Sequence, residues 1–148
     1  MAGNTVLLRC RNCGTVNRIP VERLRAQPKC GRCGSLVEFP GRPVEVTASN
    51  FDSEVLDHPG AALLFFWAPW CAHCRAMTAL MEEVAREKAG MIKVVMINSE
   101  KDPAVARRFD VLSVPKLVLY RYGRKIDERN GEMRKDELEA WIGYSLSK

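Results

Sequence analysis

Six cysteines occur in the chain, and all of them fall into Cys-x-x-Cys pairs: Cys10/Cys13, Cys30/Cys33 and Cys71/Cys74. The first two pairs are each followed by a glycine, Gly14 and Gly34, and 16 residues separate them. Zinc takes four thiolates in a tetrahedron, and one Cys-x-x-Cys turn supplies two of them. The spacing therefore predicts one zinc ion held by Cys10, Cys13, Cys30 and Cys33. Four sulfurs close the coordination shell, which makes such a site structural. Two disulfides or four unrelated free thiols are the other readings of these residues. Neither is expected in a reducing compartment.

The third pair sits in a different setting. Cys71-Ala72-His73-Cys74 follows the apolar run Leu63-Leu64-Phe65-Phe66-Trp67 and the segment Ala68-Pro69-Trp70. A thiol in the first turn of a helix is favoured as thiolate by the unpaired N–H groups there. A thiol three residues later lies on the same helix face. An exposed Cys71 that attacks and a shielded Cys74 that resolves would make a complete thiol–disulfide exchange couple. Taken alone, the pair could equally be half of a metal site or a structural disulfide.

The elements that must hold these thiols follow from periodicity. Residues 1–39 carry too few apolar side chains to fold unaided, show little periodicity and no obvious core, and at that size need a metal or disulfides. Pro40-Gly41-Arg42-Pro43 reads as a linker. Residues 44–148 then alternate between strands and helices: strands over 44–46, 62–67 and 92–98, helices over 49–56, 71–89 and 103–109, a hairpin of 116–120 and 125–130 around Gly123, and a last helix from Arg134. Thr47 or Ser49 could cap the first of these helices, and Pro103 opens the third. This order implies an α/β unit with a central mixed sheet and helices on both faces.

Hydrophobic residues at 47% and charged residues at 28% describe an ordinary globular chain. No run approaches the roughly 20 apolar residues of a membrane span, and the N-terminus lacks a secretory pattern. A cytoplasmic chain without membrane attachment is expected. The net charge of +5 is uneven: residues 1–43 hold eight Arg or Lys against two Glu. Such a basic segment raises nucleic acid as a partner. Its single aromatic, Phe39, leaves little for base stacking and argues against it.

Phe66-Trp67-Ala68-Pro69-Trp70-Cys71-x-x-Cys74 resembles the active-site signature of thioredoxins. Val114-Pro115 falls where that family has a cis-proline, and Gly123 and Gly131 match its later glycines. Residues 1–39, with Asn17-Arg18-Ile19-Pro20 and Lys29-Cys30-Gly31-Arg32-Cys33-Gly34, look like the N-terminal extension of the second, zinc-containing class of bacterial thioredoxins. The resemblance implies the thioredoxin fold with a small zinc ribbon, one structural zinc and no organic cofactor. It implies a protein-disulfide reductase acting on disulfide-containing proteins, recycled by a flavin-dependent thioredoxin reductase, and monomeric. Carried over residue by residue, Cys71 attacks, Cys74 resolves, Trp70 shields the sulfurs and Trp67 packs beneath the loop. Val114 pairs its backbone with an extended substrate, beside Pro115.

Four departures qualify this. Ala72-His73 replaces the usual Gly-Pro, and a histidine there is placed to stabilise the Cys71 thiolate. The couple is then expected above roughly −270 mV, toward the roughly −180 mV of the isomerases. Phe65 and Met96 replace the buried aspartate and the lysine beside it, so the usual proton acceptor for Cys74 is missing and His73 is the nearest candidate. Ala79 replaces a helix-kinking proline, which predicts a straighter helix. Lys116 replaces a threonine and is expected to add positive charge near the groove. A more oxidising isomerase- or oxidase-like member of the same fold is the alternative within the family. A zinc-ribbon binding module with a weakly active redox domain is the alternative outside it.

Overall fold

The computed structural model describes residues 5–24 and 26–147; residues 1–4, 25 and 148 of the expected units lie outside it. The N-terminal segment opens with an antiparallel pair, β1 (Thr5–Arg9) and β2 (Val16–Pro20), with Val6 opposite Ile19. Alternate residues Val6, Leu8 and Cys10 turn inward and meet Ile19, Cys30 and Val37, with Leu24 and Phe39 packed on the edge. The segment therefore has a core, contrary to expectation. Its period of two is hidden in the sequence because two of the six buried positions are cysteines, which read as ligands before they read as apolar packing.

The rest of the chain builds a five-stranded sheet in the order β3-β5-β4-β6-β7. The strands are β3 (Val44–Glu45), β4 (Ala61–Trp67), β5 (Ile92–Asn98), β6 (Lys116–Arg121) and β7 (Arg124–Asn130). β3, β5 and β4 run parallel, while β6 and β7 are antiparallel to their neighbours. Strand β4 is central and reads as an unbroken apolar run because both of its faces are covered. Leu63 and Phe65 face helices α1 (Ala72–Glu87) and α3 (Lys135–Leu146), together with Met77, Met81, Leu138 and Trp141. Ala62, Leu64 and Phe66 face α2 (Pro103–Arg108) and the 51–56 turn, with Phe51, Val55, Val105 and Phe109. The mixed sheet with helices on both faces is as expected.

Two local expectations need correction. The helix expected over 49–56 is one wide turn, Asp52–Leu56, closed by Asp57 N donating to the Asp52 carbonyl. Ahead of it, Thr47 N donates to Asn50 Oδ1 at 2.7 Å and Ser49 N donates to Thr47 Oγ1 at 3.3 Å. These local side-chain bonds occupy the backbone where a regular helix would have begun. Lys116 is the second correction. It pairs with Phe66 across the ladder, is buried, and donates to the Phe109 carbonyl at 2.9 Å with Glu128 at 3.3 Å. Its charge is consumed inside the α2 face and adds nothing to an exposed groove.

The ribbon lies against the sheet end where β4 and β5 begin. Arg9 Nε donates to the Asp57 carbonyl at 3.0 Å, and Arg11 meets Glu54 at 3.1 Å. The same carboxylate receives the buried Lys93 ammonium at 2.6 Å. A Cβ on Gly90, whose φ is +93°, would stand 2.6 Å from Leu24, so glycine allows the ribbon's close approach here.

Candidate active site and metal centre

The Cys71–Cys74 pair sits where β4 ends and α1 begins, at the opposite end of β4 from the ribbon. The two residues are joined as a disulfide, with Cα atoms 5.2 Å apart. Cys71 is the residue that caps α1, and its sulfur accepts the Cys74 N–H at 3.2 Å. That bond would support a thiolate on Cys71 once the pair is reduced. Cys71 Sγ lies 3.7 Å from the Val114 carbonyl oxygen, and the Val114–Pro115 peptide is cis.

The expected contrast between an exposed and a shielded sulfur is weak in this oxidised form: Cys71 is 5% and Cys74 1% exposed. What differs is their surroundings. Both sulfurs belong to one apolar cluster with Phe65 and Met77, but Trp70 beside Cys71 is 72% exposed, and Ala72 and His73 after it are also at the surface. Trp67 packs on that cluster with its indole N–H buried and without a hydrogen-bond partner among the described residues. Phe65 and Met96 are register partners on β4 and β5, so the two replaced polar positions do stand side by side. Among the described residues the buried polar side chains are His58, Lys93, Lys116 and Ser145, and none is a carboxylate. Ala79 leaves α1 unbroken from Ala72 to Glu87.

His73, expected to act on the Cys71 thiolate, has a carboxylate partner of its own. Its Nδ1 lies 2.6 Å from Glu132 Oε1. Glu132 is 59 positions away in sequence, so no local periodicity could reveal it. The available signal was Gly131 immediately before it, already matched to the family's pattern; its N–H donates to the Pro115 carbonyl at 2.9 Å and so brings the loop to the site.

At the other end of the molecule the four remaining thiols converge, all within 4.8 Å of one another. Cys10 Sγ lies 3.6 Å from Cys33 Sγ, and Cys13 Sγ lies 3.6 Å from Cys30 Sγ. A tetrahedron with zinc–sulfur bonds of about 2.3 Å has edges of about 3.8 Å, so the donor set fits that ion. Two like turns build it. Gly14 N donates to the Cys10 carbonyl and Gly34 N to the Cys30 carbonyl, each at 2.9 Å, with φ of +81° and +78° at the glycines. Hydrogen bonds from Ser35 and Asn12 pull the Cys33 thiol down to about 5. Those from the Cys33 backbone and the Asn17 side chain pull Cys30 down to about 7. Both favour the thiolates that a metal requires.

Comparison with known proteins matches both parts. The thioredoxin family profile covers residues 42–144, and the profile described as thioredoxin 2, N-terminal, a zinc ribbon, covers residues 9–35. Thioredoxin C-3 of Corynebacterium nephridii is 30% identical over 141 residues, spanning 95% of this chain and 96% of that one. Thioredoxin 1 of a Nostoc species is 39% identical over 102 residues, 69% of this chain and 95% of its own. The thioredoxin of Porphyra purpurea is 33% identical over 103 residues, 70% and 96% respectively. The fold that carries the disulfide and the four-thiol segment ahead of it are thus both matched, and the chain belongs to the thioredoxin family of disulfide oxidoreductases.

Proposed function

We propose that the chain reduces disulfides in protein substrates, with Cys71 as the attacking thiolate and Cys74 as the resolving thiol. The carrying observation is the place of Cys71: it caps α1, receives the Cys74 N–H and adjoins the Val114 carbonyl beside a cis-proline. The Cys71 thiolate attacks one sulfur of the substrate disulfide, and the other substrate sulfur leaves as a thiolate that takes up a proton. Cys74, once deprotonated, attacks Cys71 Sγ and releases the second substrate thiolate. Two electrons pass to the substrate, and the protein is left with the Cys71–Cys74 disulfide. Val114 offers backbone to an extended substrate segment, Trp67 packs on the cluster that holds the sulfurs, and the exposed Trp70 is free to cover them when a substrate docks. Ala72 and His73 tune the couple.

The reading extends to a cytoplasmic monomer that a flavin-dependent reductase recycles. Its units are a ribbon over 1–39, a linker over 40–43 and a redox domain over 44–148, with Cys10, Cys13, Cys30 and Cys33 holding a structural zinc. Ala72-His73 and the apolar Phe65–Met96 pair favour, as a second reading, a more oxidising isomerase-like role for the same two thiols. Reduction of insulin disulfides by dithiothreitol tests the first reading. The wild-type chain is expected to accelerate it, and the Cys71→Ser chain to leave it at the rate of dithiothreitol alone. Equal acceleration by both would remove the reading.

A further inference from the structure

Glu132 is fastened on both sides to the walls of the active site. On one side Gly131 N donates to the Pro115 carbonyl at 2.9 Å, which ties the loop to the Val114–Pro115 segment facing Cys71. On the other, Met133 N lies 3.3 Å from Met77 Sδ, one turn beyond Cys74 on α1. The carboxylate between these two anchors reaches His73 Nδ1 at 2.6 Å. A carboxylate only accepts, so Nδ1 carries the hydrogen in this contact. Surface ion pairs contribute little to stability, and with both side chains exposed this one is no exception. Its meaning lies in which anion holds the imidazole.

We propose that Glu132 is a positioning residue for His73: it holds the imidazole away from the Cys71 thiolate and so keeps the couple more reducing than Cys-Ala-His-Cys alone would make it. This rests on the proposed exchange through Cys71 and Cys74. In the oxidised form the ring's anionic partner is the Glu132 carboxylate. When the pair is reduced, the Cys71 thiolate becomes a second anion at the same helix start, and the two compete for one ring. A rigidly mounted carboxylate wins part of that competition, which removes stabilisation from the dithiol form. A charge on Glu132 acting directly on the thiolate would have the same sign. The two effects separate because only the first needs His73.

The test is redox equilibration of four chains against glutathione: wild type, Glu132→Gln, His73→Ala and the double variant. In the reaction, the protein dithiol and oxidised glutathione give the protein disulfide and two reduced glutathiones. The equilibrium is read by alkylating the free thiols. Glu132→Gln in the wild-type background is expected to shift it at least threefold toward the dithiol, about 14 mV on a scale of 29.6 mV per tenfold. His73→Ala is expected to shift it toward the disulfide, and Glu132→Gln added to His73→Ala to change it by less than half as much as in wild type. No shift with Glu132→Gln, or equal shifts in both backgrounds, would overturn the proposal. A wild-type Cys71–Cys74 pair that does not exchange with glutathione at all would sink the exchange reading instead.

Discussion

Phe65 and Met96 decide what lies inside the active site. They are partners across β4 and β5, and Phe65 is fully buried against the cluster that holds Cys74. A single Phe65→Asp change would put a carboxylate among apolar side chains and remove a packed ring. It is expected to cost at least about 4 kcal/mol, measured by urea unfolding. Adding Met96→Lys supplies the counter-charge from the neighbouring strand and is expected to restore part of that loss. If the double variant is no more stable than Phe65→Asp, the two positions are not energetically paired. This pair was legible in the sequence because the family resemblance marks both positions as ones where polar residues are usual. Glu132 and Lys116 were not. The first meets His73 only through tertiary folding, and the second is turned inward by the parity of β6, where Leu117 takes the α1 face.

At the scale of elements, β5 was read to the residue, and β4, β6, β7 and the three helices to within about two, because long apolar or periodic runs carry their own signal. The 49–56 segment was misread because its polar residues bond their own backbone, an alternative to helix that composition does not separate. Two matched glycines show how local space sets the cost of a substitution. Gly131 has φ +92° with nothing within 4 Å of a would-be Cβ. Gly131→Ala is expected to cost only the left-handed conformation, about 1 kcal/mol. Gly123 has φ +76°, and its Cβ would stand 2.6 Å from the Leu56 carbonyl oxygen. Gly123→Ala adds a backbone clash and is expected to cost about 3 kcal/mol. Urea midpoints that place the two variants together would show that the turn against Leu56 is looser than described.

At the scale of the molecule, the metal centre and the disulfide occupy opposite ends of one body, and the ribbon is fastened through a small polar joint. Glu54 receives both Arg11 of the ribbon and the buried Lys93 of β5. Beside it, His58 is buried with its ring edge-on to Phe39. Burial first, and then the Lys93 charge, push the His58 imidazole down to about 4. An unfolded histidine titrates near 6.5. Above that pH it is neutral in both states and contributes nothing. As pH falls from about 6.5 toward 4, the unfolded chain takes up a proton that the folded chain refuses, so stability is lost. This group alone is expected to remove about 2 kcal/mol between pH 7 and pH 5. The loss measured over that interval by urea unfolding should be smaller by that amount in His58→Asn. An identical pH profile in the variant would mean that His58 is not buried in this joint.

The division of labour between the two active-site sulfurs is the claim on which the rest depends, and mixed-disulfide capture measures it most directly. Reduced Cys74→Ser and Cys71→Ser chains are mixed with a disulfide-bonded protein such as insulin, quenched with an alkylating agent and resolved without reductant. The Cys74→Ser chain is predicted to hold a stable mixed disulfide through Cys71, and the Cys71→Ser chain to hold none above background. Capture by both variants to the same extent, or by Cys71→Ser alone, would contradict the account.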